Sequence, residues 1–193
     1  MQTDSKLETY PFVVDESKMI DSMGNFGWRT ANEREIPEMI ALGEKLIGDR
    51  LISSDVLSAL HNLTGITAWV FGDPIEGLVI SVPLSPEGLD AVQENKFVPQ
   101  NLPDTNYVAA AGTPCAGVYI GIYAGETKAA RKAVMSGAGI IRMAVFAQVP
   151  CFARAATEDG ARSMQSLGWQ PAGFGADQLW MQGALVVPEQ KVA

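Results

Sequence analysis

From Thr105 to Gly125 the chain carries no charged side chain. A membrane span would need ~20 predominantly apolar residues, and Gly112-Thr113-Pro114 breaks this run in the middle. Its second half, Ala116 to Tyr123, therefore reads as a short strand. A helical pattern follows from Glu126 to Val145, with Ala130, Ala133, Val134, Gly137, Ile140, Ile141 and Ala144 as its apolar stripe. That composition predicts a helix that is nearly buried. Val149 to Ala155 returns as a strand.

Around this unit the remaining pattern is alternately helical and extended. Phe26 to Ala31 reads as a strand. Ile36, Met39, Ile40, Gly43, Leu46 and Ile47 recur at helical spacing; either Asn32 and Glu35 form a capping box, or the helix proper starts one turn later, where Pro37 suits its first position. A second helix runs from Ser54 to Asn62 and carries the chain's one histidine, His61, as a partly packed side chain. Thr67 to Phe71 and Ile75 to Val82 form a hairpin across Gly72-Asp73-Pro74. Residues 83–114 form a proline-rich insertion with one helical stretch, Pro86 to Glu94; such passages are either lids or packed surface insertions. Thr157 caps a short helix ended by Leu167-Gly168, and Trp169 to Phe174 and Gln178 to Gln182 close the chain as strands. This order predicts a mixed α/β sheet flanked by helices. Residues 1–25 read as an N-terminal arm, and 26–193 as a single domain.

Composition narrows the function. With 14 Lys and Arg against 22 Asp and Glu, the net charge is −8, which repels phosphate backbones and argues against a nucleic-acid binder. One histidine and two cysteines, Cys115 and Cys151, fit neither a histidine-dependent metal centre nor a Ser-His-Asp triad. Cys151 lies in an apolar strand and reads as core. Met1 to Glu8 is polar and lacks the layout of a signal peptide. The expectation is a cytoplasmic protein with no membrane partner and no metal.

The junction Tyr123-Ala-Gly-Glu-Thr-Lys-Ala-Ala-Arg-Lys-Ala133 carries the strongest local signal. A helix start leaves backbone N–H groups unpaired and a positive dipole end exposed, yet Lys128, Arg131 and Lys132 gather there. Cations at that end oppose the dipole. Either a bound phosphate compensates them, or they form a solvated face balanced by Glu126 and other acids.

Downstream, Ala153-Arg-Ala-Ala-Thr leads through a short helix to Leu167-Gly-Trp169. This segment resembles the C-terminal motif of the GNAT acyltransferase superfamily, a strand leading to a helix that ends in Leu-Gly-aromatic. The basic helix start resembles that family's acyl-CoA pyrophosphate loop, Arg/Gln-x-x-Gly-x-Gly/Ala, and the element order from about Phe26 to Gln182 is similar. The resemblance implies a splayed sheet whose strands 116–123 and 149–155 are parallel neighbours diverging at one end. It implies acetyl-CoA or another acyl-CoA as cosubstrate and direct transfer to a small-molecule amine in a ternary complex. The pantetheine arm would run past Ile122 and Tyr123, and the pyrophosphate would sit over Lys128, Ala129, Ala130, Arg131, Lys132 and Ala133. The acceptor would enter near residues 95–113. A homodimer is a further expectation.

Three positions depart from the family pattern. Arg131 stands where the central glycine belongs, Thr157 where many members have Asn, and Met164 where a tyrosine often protonates the leaving thiolate. In place of that tyrosine, Tyr119 and Tyr123 are expected to alternate onto one face of the strand, with Glu126 at its end. A phenol of pKa ~10 could protonate the thiolate, and Glu126 could take the amine proton through water. The other reading of these residues is packed aromatics and a helix-start acid. The alternative function is a GNAT-fold module that has lost its chemistry and serves binding or assembly.

Overall fold

The computed structural model describes Leu7 and residues 9–101, 105–155 and 157–186. In chain order it comprises β1 (Phe12–Val13), α1 (Glu16–Gly24), β2 (Trp28–Thr30), α2 (Ile36–Ile47), α3 (Ser54–Thr64), β3 (Ala68–Phe71), β4 (Gly77–Leu84), α4 (Pro86–Gln93), β5 (Pro114–Cys115), β6 (Gly117–Gly125), α5 (Lys128–Gly139), β7 (Cys151–Arg154), α6 (Glu158–Ser166), β8 (Gln170–Pro171) and β9 (Leu179–Gln182). Seven strands form one mixed sheet in the order β2-β3-β4-β6-β7-β9-β8, and β1 pairs separately with β5. Within the large sheet every neighbouring pair is antiparallel except β6 and β7. The expected mixed α/β architecture with flanking helices is what forms.

Short polar side chains place the helix starts. Ser53, Ser85, Thr127 and Thr157 each accept the N–H three residues on, satisfying a donor that has no partner within the helix. In the turn before α2, Asn32 Oδ1 accepts the N–H of Glu35 and Glu35 Oε2 accepts that of Asn32; α2 itself starts at Ile36, with Pro37 in its first turn and no side-chain cap. Gly48 and Gly65 then end α2 and α3 in the left-handed region.

Each face of the sheet carries its own core. On one side α2, α3 and α4 bury Ile36, Met39, Leu57, Leu60, Leu89 and Val92 against β4 and β6. On the other, α1 and α5 bury Met19, Met23, Ala133 and Val134 against Trp69, Val79, Val118 and Ile120. Met19 and Met23 are fully buried. Residues 12–24, within the expected 1–25 arm, pack on the body, where two buried methionines tie α1 to the sheet.

The helix expected over Glu126 to Val145 forms in two pieces. α5 is followed by a π-helical turn, Ile140–Val145, in which the Phe146 N–H bonds the Ile141 carbonyl five residues back. The wider turn rotates the stripe, so Ile141 and Arg142 face inward and Ala144 faces solvent. Met135 and Met143 are exposed at 57% and 72%; the segment is amphipathic, where near-complete burial was expected. The insertion is packed rather than loose: a Cβ on Gly88 would lie 1.9 Å from the Tyr107 carbonyl oxygen, and the Ser85 hydroxyl donates to the Asn106 carbonyl.

Candidate active site

β6 and β7 run together over three residue pairs only: Val118–Cys151, Tyr119–Phe152 and Ile120–Ala153. β6 continues to Gly125 along β4, while the chain leaves β7 after Arg154 for α6. The two parallel strands therefore part at Gly121. A cavity of about 250 Å³ opens there, walled by Leu51, Ile80, Tyr119, Gly121 and Arg154, with Pro99 and Gln100 of the insertion over it. Part of the 95–113 segment thus borders the strand divergence. A larger, shallower groove, lined by Thr157, Phe174, Asp177 and Trp180, lies beyond β7 and shares Ala155 and Gln178 with the cavity.

Gly121 also changes which way the tyrosines point. The register of β4 on β6 runs Ile80–Ile122 and then Ser81–Ile120, so Gly121 is an extra residue without an opposite number. Such a bulge breaks the period-2 alternation. Tyr119 packs with Ile122 and Ala124 on the α2–α4 face, and Tyr123 with Val118 and Ile120 on the α5 face. The expectation that both share one face is corrected by this single inserted glycine.

Tyr119 is 5% exposed, lies 5.1 Å from Phe97 between ring centroids, and lines the cavity. Burial pushes its phenol up to about 12, with the charge of Arg154 opposing, so it is a protonated donor at neutral pH. Tyr123 is half-buried, and its phenol lies near Cys151 and Arg142. Burial, reinforced by Cys151, holds it well above 10, and Arg142 opposes. The Cys115 and Cys151 thiols are both buried and pushed up to about 12, which suits core residues and not nucleophiles.

At the far end of β6, Gly125 lets α5 sit directly on the strand: a Cβ there would lie 2.7 Å from the Ala130 carbonyl carbon and the Arg131 nitrogen. The Thr127 hydroxyl accepts the Ala130 N–H and donates to Glu76 Oε2 at 2.9 Å, while the Glu126 N–H donates to the Glu76 carbonyl. Arg131 folds back so that Nη1 donates to the Glu126 carbonyl at 2.7 Å. The Glu126 carboxylate pairs with Lys45 at 2.5 Å and does not line the cavity. The three expected acid–base residues are therefore not brought together: Tyr119 is in the cavity, Tyr123 is on the opposite face, and Glu126 is at the helix start.

The backbone N–H groups of Lys128 and Ala129 and the side chains of Lys128 and Lys132 have no partner among the described residues. Ala130 and Ala133 are buried under the helix, and the Ala133 carbonyl accepts the Trp28 indole N–H. An anion at this helix start would thus meet two free backbone donors and two free cations. Two nearby carboxylates, Glu76 and Glu126, are already engaged by Thr127 and Lys45.

Sequence reasoning missed Arg142. It is 7% exposed and donates to the carbonyls of Phe146, Val149 and Gly183 and to Gln182 Oε1. Its signal was present: one charge inside Ile-Ile-Arg-Met-Ala-Val. Arg50 and Arg154, which both line the cavity, had no such signal, since they are far apart in the chain. Met164 packs, half-buried, beside the α5-side core. Among the described residues no helix is long and apolar enough to cross a membrane, and no three His, Cys, Asp or Glu groups are placed to hold a metal.

No protein-family model matches the chain, and no curated protein does. Among solved structures, the chain is similar to one from Corynebacterium glutamicum described as histone acetyltransferase HPA2 and related acetyltransferase. The two are 17% identical, the match covers 84% of this chain and 97% of that one, and the TM-score is 0.47.

Proposed function

We propose that this protein is a GNAT-type acyltransferase that moves an acyl group from acyl-CoA, acetyl-CoA in the simplest case, to a small-molecule amine. The observation that carries the reading is the parting of β6 and β7 at Gly121, with an α5 start bearing unpaired donors and cations at the end of the same strand. The motif resemblance at residues 123–133 and 153–169 supports it independently. Acyl-CoA would supply the acyl group as a thioester. Lys128 and Ala129 would hold the pyrophosphate through backbone N–H groups, and Lys128 and Lys132 through their ammonium groups. Arg131 stands in place of the family's glycine, with its side chain bonded to the Glu126 carbonyl.

Catalysis in this reading is mainly positioning. The cavity holds the amine beside β6, where its nitrogen forms a bond to the acyl carbon as the carbon–sulfur bond breaks. The Tyr119 hydroxyl donates its proton to the departing sulfur, and the proton lost from nitrogen passes to water. Tyr123 and Glu126 take no part; they fix packing and the helix start.

The second reading, a binding or assembly module without chemistry, has one observation in its favour: Met164 cannot donate a proton at the family's tyrosine position. Thiol release from acetyl-CoA and longer acyl-CoAs across an amine panel, together with thermal shifts on CoA, tests both. Thiol release that depends on an amine supports the enzyme. A thermal shift without turnover for any amine supports the module. The absence of any shift with CoA or an acyl-CoA overturns the acyltransferase reading.

A further inference from the structure

In a chain with eight excess acids, the lining of the cavity at the β6–β7 divergence holds two arginines, Arg50 and Arg154, and one acid, Asp49. Arg50 follows the left-handed Gly48 that ends α2, which turns residues 49–52 over the cavity mouth. Arg154 is the last residue of β7, on the other wall. Neither forms an ion pair among the described residues, although other exposed cations do, including Arg29, Lys45, Lys96 and Arg162. Asp49 is the acid lining the cavity, and its Oδ1 accepts the Arg50 backbone N–H at 2.7 Å.

Two arginines from different elements lining one cavity, with apolar Ile52, Ile80 and Val82, suit a planar anion. Arginine's fork matches a carboxylate in two parallel hydrogen bonds. The volume, about 250 Å³, is just below the ~300–1,000 Å³ usual for ligand sites and suits a compound of a few heavy atoms beyond its acid group. We infer that the acceptor is a small aminocarboxylate, its carboxylate held between Arg50 and Arg154 and its amine turned toward Tyr119 and Gly121. This deepens the acyltransferase reading and rests on it for the fate of the amine; the carboxylate site itself stands on the cavity.

The test uses the full chain with glycine, β-alanine, 4-aminobutyrate, glutamate and phenylalanine, each beside its carboxamide, in calorimetry and thermal shift without CoA. At least one free acid should bind, with its carboxamide weaker by tenfold or more. Arg50→Gln and Arg154→Gln, both at exposed side chains, should each remove that acid–amide difference while leaving the CoA thermal shift in place. If no acid in the panel binds, or acid and amide bind alike, the inference is overturned. Loss of CoA binding in the arginine variants, with no effect on the acids, also overturns it and assigns the arginines to CoA phosphates. Arginine-dependent binding of an acid with no response to any acyl-CoA upholds the carboxylate site and removes the acyltransferase reading instead.

Discussion

Tyr119 and Tyr123 stand four residues apart on one strand and face opposite sides of the sheet, because Gly121 is inserted between them without a partner on β4. The bulge does two things at once. It leaves Tyr119 in the cavity lining on one face and Tyr123 on the other, and it sits where the pairing of β6 with β7 ends. Tyr119→Phe keeps the ring and its contact with Phe97 and removes only the donor. Steady-state kinetics should show kcat reduced by ~10²-fold, the usual scale of general-acid loss, with KM for acyl-CoA unchanged. Tyr123→Phe should leave kcat within about twofold. With the phenol pushed up to about 12, wild-type kcat should hold its alkaline plateau to at least pH ~10. An equal effect of both substitutions would remove Tyr119 from the chemistry.

Gly125 is where α5 meets the end of β6. A side chain there collides with backbone of Ala130 and Arg131, not with a flexible tip. Gly125→Val should cost about 1–3 kcal/mol by overpacking and should weaken CoA more than it weakens the fold. Calorimetry with CoA beside thermal unfolding separates the two losses.

Arg131→Gly removes the bond to the Glu126 carbonyl and leaves no side chain at that position of α5. With the side chain folded back, affinity for CoA is expected to stay within about threefold of wild type, near half a kcal/mol. A tenfold loss in titration would mean that the guanidinium reaches the phosphate instead.

Arg142 satisfies three backbone carbonyls and Gln182 in the π-helical turn and the C-terminal strand region. Arg142→Met keeps most of the volume and leaves those acceptors without donors. A loss of about 3 kcal/mol follows from buried groups left unsatisfied, or a fall in Tm of roughly 6–12 °C for a domain of this size. Differential scanning calorimetry measures it directly.

His61 accepts the Ala68 N–H on Nδ1, and burial lowers its pKa below 6.5, with the Ala31 backbone opposing. The unfolded chain binds that proton more readily than the folded one. The contribution to stability is therefore present above pH ~6.5 and is lost as pH falls through the unfolded and then the folded value. Since the chain has one histidine, its imidazole resonances in a proton NMR titration report this alone. A midpoint at or above 6.5 would contradict the burial.

Local pattern by itself determined the elements of this protein. The hydroxyl cap at Thr157, the start of α2 around Pro37, the Leu167-Gly168 stop and the uncharged β6 are decided by neighbours within about four residues, and all of them stand in the structure. What only the tertiary structure decided depends on partners far along the chain. The face of Tyr123 is fixed by how β4 aligns with β6 around Gly121, which no run of residues in β6 alone can encode. The lost tail of the α5 stripe follows from Arg142 finding carbonyls at Phe146, Val149 and Gly183. Glu126 is engaged by Lys45 because α2 ends beside β6. Arg50 and Arg154 meet at one cavity through the turn after α2 and the early end of β7. Periodicity reports which residues leave water; it carries no information on which of them meet.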